Sequence, residues 1–307
     1  MKIAIVGTGA MGSVYAALLG RAGNEVWAVD VWQEHLDAIA VGGLAVSGAS
    51  GEYVVDTLRV ARTPEDVGQC ELWVIATKAQ DVEAIAGRIA PLLRPDDMVM
   101  AFQNGLGAGA RVAREVPERH VLVGIAEGFG SSIPRPGAVH HSGMRLIRIG
   151  ELHGGLTDRV RRVEQVWRDA GFKVQAFADI DQMVWEKFLC NVTVSAPTAA
   201  FDVTVGELMA NSEAWGVALG CTMEAYRLAV AKGVKFKFDD PLRYVTEFAA
   251  TIPDVSPSMR LDALAGRRSE VDVINGQVVE QSREFGLATP YNETLCAIIR
   301  QRESRYP

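Results

Sequence analysis

The sequence has few of the residues that mark several large protein classes. Its four cysteines, Cys70, Cys190, Cys221 and Cys296, form no CxxC pair, which argues against a disulfide framework and a structural metal site. No apolar run reaches the ~18 residues that a membrane span needs. No signal-peptide pattern follows Met1. We therefore expect a cytoplasmic protein that binds no metal and does not enter the membrane.

Positive charge is also scarce. The sequence has 31 Lys and Arg against 38 Asp and Glu, which gives a net charge of −7. Because no basic stripe is present to follow a phosphate backbone, we expect no nucleic-acid partner. The 307 residues are 49% hydrophobic and 22% charged, as is typical of a globular protein. At about 150 residues per domain, this length suggests two domains.

Short β-branched runs alternate with helical patterns in the first part of the chain, and this alternation predicts parallel strands in a doubly wound sheet. From about residue 179 onward only long amphipathic stretches follow. We therefore predict an α/β Rossmann-type domain over residues 1–178 and an all-α domain over residues 179–307. The predicted strands are 2–6, 25–29, 72–76, 98–102, 121–126, 145–150 and 172–177. The predicted helices are 12–22, 32–41, 80–93, 155–170, 181–200, 206–232, 240–250, 257–284 and 291–303.

The strongest local motif is VGTGAMG, which follows the first predicted strand and opens a helix. Its GxGxxG spacing allows a tight turn, close approach of a pyrophosphate to bare backbone, and close packing of helix on strand. Asp30 ends the next strand, near the position where a ribose-binding carboxylate is expected. We assign cofactor binding to Asp30 and to the turn residues Gly7, Gly9, Ala10, Met11 and Gly12.

Asp30 also bears on which dinucleotide binds. A carboxylate accepts hydrogen bonds from a ribose diol but repels a 2′-phosphate, and the following Val31 and Trp32 carry no positive charge. NADH is therefore favoured over NADPH. The alternative is that Asp30 only caps the helix that follows.

Two polar motifs follow predicted strands at the sheet edge where open α/β folds bind ligands. LWVIATKAQD puts Lys78 just past one strand, and MVMAFQNG puts Asn104 just past the next. Lys78 would contact a phosphate or the ribose, and Asn104 the nicotinamide ribose or the substrate. The alternatives are a solvated lysine at a helix start and an ordinary Asn-Gly turn.

The stretch WEKFLCNVTVS places Lys187, Asn191 and Ser195 four residues apart, so the three share one helix face. Burying an ammonium is costly unless something pairs with it or uses it. Reduction of a carbonyl by NADH requires a proton donor, and a partly desolvated lysine suits that task. Lys187 is therefore the candidate general acid. The alternative is a lysine whose stem packs on the core while its ammonium reaches water.

Taken together, these motifs resemble the ketopantoate reductase (2-dehydropantoate 2-reductase) family. The shared elements, in the family's order, are GTGAMG, TKAQD, FQNG, PGAVHHSG, WEKFLCN and SMRLDALAGRRSEVDVINGQVVE. The resemblance implies a Rossmann domain and a helical domain, with reduction of 2-dehydropantoate to pantoate in the cleft between them. It also implies a homodimer formed through the helical domain.

The resemblance further implies roles for individual residues. Lys187 would be the general acid and Glu270 its hydrogen-bonding partner, while Asn191 and Ser258 would hold the substrate. Lys78 and Asn104 would line the cofactor and the catalytic cleft.

The chain departs from the family pattern at two positions. Val31 stands where family members carry a basic residue for the NADPH phosphate, and Ser195 replaces a second substrate-binding Asn. A hydroxyl reaches less far than an amide and cannot present donor and acceptor together. An NAD-dependent dehydrogenase of another branched or aromatic 2-hydroxy acid therefore stays open, as do a β-hydroxyacid dehydrogenase and a non-catalytic NAD(P) sensor.

Overall fold

The computed structural model describes residues 1–306, which form two compact units. The first unit contains residues 1–103 and 107–180, and the second contains residues 104–106 and the chain from Asp181 onward. The sequence predicts the division after residue 178, but Ile180 still packs in the first unit, where its Cβ lies beside Gly150. The short excursion at 104–106 is not predicted.

The strands of the described residues all lie in the first unit and form two sheets. They are β1 (Lys2–Val6), β2 (Glu25–Val29), β3 (Leu44–Gly48), β4 (Tyr53–Val55), β5 (Arg59–Ala61), β6 (Leu72–Ile75), β7 (Met98–Ala101), β8 (Val121–Glu127), β9 (Gly130–Arg135), β10 (Ala138–Gly143), β11 (Leu146–Glu151) and β12 (Val174–Ala176).

The larger sheet has eight strands in the order β12-β11-β8-β7-β6-β1-β2-β5. From β5 to β8 every pairing is parallel, and the order is that of a doubly wound dinucleotide-binding fold, whose ligands sit at the carboxyl ends of the strands. The predicted α/β Rossmann-type class is thereby confirmed. The sheet is not wholly parallel, because no helix connects β8 to β11 and the chain returns antiparallel.

The smaller sheet, in the order β4-β3-β10-β9, was not predicted. Its strands have three to six residues, and several include Gly, Ser or Pro. Such short and polar runs lack the β-branched alternation that identifies the strands of the larger sheet. This sheet nevertheless carries the PGAVHHSG motif, with Gly137 between β9 and β10.

The helices divide between the two units. They are α1 (Ala10–Arg21), α2 (Gln33–Gly42), α3 (Pro64–Val67), α4 (Val82–Ile89), α5 (Ala108–Glu115) and α6 (Asp158–Asp169), then α7 (Ile180–Phe201), α8 (Val205–Ala210), α9 (Ser212–Ala231), α10 (Pro241–Ala250), α11 (Ser258–Leu264), α12 (Asn275–Ser282) and α13 (Pro290–Glu303).

Two long helices predicted for the second unit are divided in the structure. The stretch 206–232 breaks at Asn211, whose side-chain oxygen accepts from the backbone N–H groups of Glu213 and Ala214 and so starts α9. The stretch 257–284 breaks after α11, where Gly266 has a positive φ of 62°. Hydrophobic periodicity does not reveal such breaks, because both pieces bury apolar faces in the same core.

Each unit has its own hydrophobic core. In the first, the ring of Tyr15 lies 5.1 Å from the rings of both Phe102 and Trp167, so α1 and α6 pack on one face of the sheet. In the second, Phe188 and Leu189 of α7 are fully buried. None of the helices within residues 1–306 combines the length and apolarity required to cross a membrane.

Candidate active site

The glycine-rich turn lies at the carboxyl end of β1, where the sheet order reverses. Gly7 has a φ of 93°, and a Cβ there would lie 2.7 Å from the backbone nitrogen of Thr77. A Cβ on Gly12 would collide with the Gly7 carbonyl oxygen at 1.9 Å. The protein's own packing therefore requires glycine at both positions.

Gly9 is different, because a Cβ there would meet nothing within 4 Å. Gly9 is exposed and precedes α1, which has no side-chain cap and no acidic residue in its first turn. Ala10 and Met11 begin this helix. The open space beside Gly9 and the uncapped helix N-terminus suit a pyrophosphate, which would accept from these backbone N–H groups.

Two buried polar atoms near this turn have no hydrogen-bond partner among residues 1–306: Thr77 Oγ1 and Gln103 Oε1. Both residues follow strands, β6 and β7, at the same edge of the sheet as Gly7. The Gln103 amide nitrogen donates to the carbonyl oxygens of Ile75 and Thr77, so the two strand ends are tied together. An edge that leaves such atoms without partners fits the dinucleotide that the sequence predicts.

Asp30 lies at the carboxyl end of β2 and is half-buried. One of its carboxylate oxygens accepts from the backbone N–H of Trp32, at 3.0 Å. The helix α2 starts later, with Trp32 in the N-cap position, so Asp30 is not the helix cap that the sequence left open. Val31 is exposed, and its side chain carries no charge.

The structure brings a positive charge near Asp30 that the sequence motifs do not predict. The backbone N–H of Asp30 donates to the carbonyl oxygen of Ala61, and the exposed Arg62 follows directly. Arg62 makes no ion pair with any described residue. Because β5 pairs with β2 in space rather than in sequence, local motif reading could not connect the two. Lys78 is exposed and follows β6, as predicted.

Asn104 belongs to the second unit because of its neighbour Gly105. Gly105 has a φ of 83°, and a Cβ there would lie 2.0 Å from the Val273 carbonyl oxygen. That oxygen also accepts from the backbone N–H of Leu106. The absence of a side chain at 105 therefore lets this segment approach residues 270–273, and Asn104 comes beside Glu270.

A chain of hydrogen bonds joins the three predicted catalytic-site residues of the second unit. The Lys187 ammonium donates to Asn104 Oδ1 at 2.9 Å, and Asn104 Nδ2 donates to Glu270 Oε2 at 3.2 Å. All three side chains are half-buried. The family resemblance implies that Glu270 is a hydrogen-bonding partner of Lys187, and in the structure Asn104 bridges the two side chains, because its amide offers an acceptor to one and a donor to the other.

This arrangement fixes a protonated amine in a defined direction. An ammonium has three N–H donors, and one of those of Lys187 is held by Asn104. An ammonium so positioned can donate a proton to a carbonyl oxygen within hydrogen-bond reach. The Glu270 carboxylate fixes the amide orientation, since only the Nδ2 side of Asn104 can donate to it.

The predicted substrate-binding residues differ in exposure. Asn191 is half-buried one turn after Lys187 on α7, and Ser195 lies a further turn along the same face with 4% exposure. Ser258 is exposed at the first position of α11. The side chains of these three residues make no hydrogen bonds within the described part of the chain.

Behind α7 lies a buried amide pair that was not assigned a role from the sequence. Asn275 Nδ2 donates to the Val192 carbonyl oxygen at 3.2 Å and to Asn292 Oδ1 at 2.8 Å. Glu224, also buried, accepts from Asn292 Nδ2. The pair braces the turn of α7 that carries Asn191. The ING triplet of the family motif contains Asn275, and it is the feature of the sequence that could have pointed to this pair.

No group of three or more His, Cys, Asp or Glu residues within 1–306 is arranged to hold a metal ion. The first unit contains a cavity of about 640 Å³, which includes none of the predicted site residues. It lies beside Arg21 at the end of α1 opposite Gly9.

Comparison with known proteins identifies one family along nearly the whole chain. The family model described as Ketopantoate reductase PanE/ApbA matches residues 3–154, and the model described as Ketopantoate reductase PanE/ApbA C terminal matches residues 179–303. The chain is 32% identical to the 2-dehydropantoate 2-reductase of Halobacterium salinarum, across 98% of both chains. It is also 32% identical to that of Archaeoglobus fulgidus, across 99% of this chain and 98% of the other.

Solved structures agree with this grouping. A PanE/ApbA family ketopantoate reductase from Ralstonia eutropha JMP134 has a TM-score of 0.91 at 27% identity, covering 100% of this chain and 99% of the other. A D-mandelate dehydrogenase with NADH and anilino(oxo)acetate has a TM-score of 0.90 at 26% identity, covering 99% and 98%. The chain therefore belongs to the ketopantoate reductase family.

Proposed function

We propose that this protein reduces 2-dehydropantoate to pantoate with a nicotinamide cofactor. The observation that carries the proposal is the hydrogen-bonded chain Lys187–Asn104–Glu270, which holds an ammonium ready to donate a proton. Two relatives named 2-dehydropantoate 2-reductase, each 32% identical over nearly the whole chain, support this substrate. A sensor that only binds a dinucleotide would have no use for such a donor.

The turn residues 7–12, Asp30 and Lys78 would hold the cofactor, with its pyrophosphate beside Gly9. The nicotinamide supplies a hydride to C2 of the substrate when it is bound. We propose NADH as the preferred form, since Asp30 repels a 2′-phosphate and Val31 offers no positive charge. The solved D-mandelate dehydrogenase of the same fold contains NADH. Arg62 is the residue that would favour NADPH instead.

Lys187 is the proposed general acid. Its ammonium donates a hydrogen bond to the keto oxygen and transfers the proton as that oxygen gains negative charge. The product is the neutral 2-hydroxyl group, and the neutral amine regains a proton from solvent. Asn104 and Glu270 act as positioning residues, because they fix the direction of the Lys187 side chain.

Substrate binding is assigned to Asn191, Ser195 and Ser258, as well as Asn104. Their amides and hydroxyls can donate to the substrate carboxylate and to its own hydroxyl group. Ser195 reaches less far than an Asn would, which leaves more room at this end of the α7 face. We propose a cytoplasmic location, since all four cysteines are buried and form no disulfide. A homodimer is a further proposal from the family resemblance.

Steady-state turnover tests the proposal. Purified protein would be assayed with 2-dehydropantoate, a branched 2-oxo acid and an aromatic 2-oxo acid, each with NADH and with NADPH. We expect the highest kcat/KM with 2-dehydropantoate. A higher value with the aromatic acid would replace the substrate assignment, and no turnover with any 2-oxo acid would reject the function.

Replacement of Lys187 by Ala separates a reductase from a dinucleotide sensor. We expect kcat to fall by about 10²–10⁴-fold, the usual contribution of a general acid, while the Kd for NADH stays unchanged. The matched control is Lys232→Ala, since Lys232 is exposed on the second unit, with its ammonium 5.4 Å from the Phe285 ring centre. Wild-type kcat in Lys187→Ala would exclude this lysine as the acid.

A further inference from the structure

A buried histidine of the first unit is connected to the glycine-rich turn. His35 lies in the first turn of α2 and is fully buried, as is Ser13 of α1. Their side chains meet at 3.1 Å, between His35 Nε2 and Ser13 Oγ. The other ring nitrogen, Nδ1, lies 3.1 Å from the backbone nitrogen of Gly137, in the turn between β9 and β10.

The direction of each hydrogen bond in this set follows from its two terminal groups, the Gly137 N–H and the Thr8 carbonyl oxygen. A backbone N–H can only donate, so His35 Nδ1 accepts from Gly137 and carries no proton. Nε2 of the neutral ring must then carry the proton and donate it to Ser13 Oγ. The Ser13 hydroxyl in turn donates to the carbonyl oxygen of Thr8, at 2.8 Å. The imidazole is neutral, and its tautomer is fixed.

The last acceptor, Thr8, lies between Gly7 and Gly9. In a trans peptide the carbonyl oxygen and the next N–H point in opposite directions. Because the Thr8 oxygen is drawn inward to Ser13, the Gly9 N–H points outward, and it makes no hydrogen bond within residues 1–306. That N–H lies where the pyrophosphate is expected.

The surroundings hold His35 in this state. The Trp32 ring stacks on it at 4.9 Å, with an interplanar angle of 16°. A Cβ on Gly137 would lie 2.7 Å from the Ala38 Cβ, so the β9–β10 turn packs directly on α2. Asp30 is the charged group that acts on the ring, while the partners Ser13 and Gly137 are uncharged. Burial nevertheless lowers the pKa of His35, with Asp30 opposing the effect.

We propose that neutral His35 is a positioning residue for the cofactor, which orients the Gly9 N–H through Ser13 and Thr8 and releases it when the ring is protonated. A protonated ring still donates from Nε2 to Ser13, but its Nδ1 becomes a second donor that faces the Gly137 N–H. The turn is then pushed off α2, and the ring moves out of line with Ser13, which weakens the relay to Thr8. Cofactor affinity should therefore fall as the pH decreases below the pKa of His35. This inference rests on the proposed nicotinamide binding. It also explains the PGAVHHSG motif, which supplies Gly137.

Fluorescence titration with NADH measures the effect. At pH 8 we expect Ser13→Ala to raise the Kd by about 3- to 10-fold, which is the value of one net hydrogen bond. The kcat at saturating NADH should stay within about twofold of wild type. The control His153→Asn replaces an exposed histidine of the same unit and should bind as wild type does. Wild-type Kd in Ser13→Ala would overturn the inference.

The pH profile of binding separates positioning from a merely structural role. As the pH falls below about 6.5, the ordinary histidine value, we expect the wild-type Kd to rise, because burial lowers the pKa of His35. We expect this slope to disappear in His35→Asn, whose amide can still accept from Gly137 but does not titrate. A slope that persists in His35→Asn would overturn the inference. If His35→Asn had a lower melting temperature but the same pH slope of Kd as wild type, His35 would have only a structural role. That result would also overturn the inference.

Nuclear magnetic resonance of the wild-type imidazole keeps the test independent of variant folding. Nitrogen-15 shifts should show a proton on Nε2 of His35 at pH 7.5, and a proton on Nδ1 would overturn the inference. If the wild-type protein binds neither NADH nor NADPH at any pH, the proposed function fails, and the inference fails with it. If it binds NADH and Ser13→Ala binds equally well, only the inference fails.

Discussion

At the scale of single residues, Asn104 connects two charges that would otherwise need direct contact. Its amide accepts from Lys187 and donates to Glu270, so both ions keep a partner although neither is fully buried. An amide is suited to this place because a carboxylate has no donor and an ammonium has no acceptor.

Replacement of Asn104 by Asp tests this role. The new carboxylate can still accept from Lys187 but cannot donate to Glu270, and it repels that carboxylate. We expect kcat/KM to fall by about 10- to 100-fold, as for loss of a hydrogen bond to a charged group worth about 1.5–3 kcal/mol. Steady-state kinetics would measure it, with Asn24→Asp in the first unit as control. Unchanged kinetics in Asn104→Asp would remove Asn104 from the site.

Two further residues test the proposed preference for NADH. In Asp30→Ala we expect kcat/KM with NADPH to rise about 10-fold relative to NADH, because the repulsion of the 2′-phosphate is lost. In Arg62→Ala we expect the NADPH value alone to decrease. Arg59→Ala is the control, since Arg59 lies at the start of β5, the strand that Arg62 follows, and pairs with Glu25. A wild-type preference for NADPH that survives Asp30→Ala would contradict the assignment of this carboxylate.

At the scale of elements, the site of the second unit depends on the close approach of residues 104–106 to residues 270–273. Gly105 and Gly107 both have positive φ, 83° and 78°, but their surroundings differ. A Cβ at 105 would lie 2.0 Å from the Val273 carbonyl oxygen, whereas a Cβ at 107 would meet only the flexible end of Arg111, at 3.5 Å.

The two glycines therefore give a matched pair of variants. Gly107→Ala should lower the free energy of unfolding by about 1 kcal/mol, because alanine is strained in a left-handed backbone conformation. Gly105→Ala should lower the free energy of unfolding by more than this. It should also lower kcat/KM by about 10-fold or more, because it displaces a hydrogen bond to a charged group. Thermal unfolding and turnover would measure the two effects. Equal behaviour of the variants would show that the contact with Val273 does not hold Asn104 in place.

Much of the first unit could be predicted because its signals are local. The β1 strand, the glycine spacing and Asp30 lie within 30 residues, and they are reproduced in the structure. The Asn104 to Glu270 contact spans 166 residues, so no local pattern contains it. The relay from Gly137 through His35 to Thr8 is equally non-local, and the strands β9 and β10 that support it are too polar and too rich in Gly and Ser for an apolar periodic signal.

At the scale of the whole molecule, an excess of acidic residues coexists with groups that must stay in one charge state. Burial lowers the pKa of His35 and of His141 below the ordinary value of 6.5, so both stay neutral in the folded protein at pH 7. The pKa of Glu71 is lowered by a hydrogen bond from the Lys2 backbone N–H. That of Glu151 is lowered too, because hydrogen bonds from Arg159 and Thr157 outweigh its burial. As the pH falls below each ordinary pKa, the unfolded chain binds protons that the folded chain, with its lower pKa, does not yet bind.

The free energy of unfolding should therefore decrease in two stages as the pH falls. It should be nearly constant between about pH 6.5, the ordinary histidine value, and about pH 8.5, the ordinary cysteine value, and should decrease below pH 6.5 as the unfolded histidines bind protons. A second decrease should begin near pH 4.5, when unfolded carboxylates are protonated before Glu71 and Glu151 are. Hydrogen exchange of the β1 and β6 amides would follow the first unit alone. His141→Gln should reduce the first stage and keep the second; stability that rises between pH 6.5 and 5.5 would contradict the neutral state of both histidines.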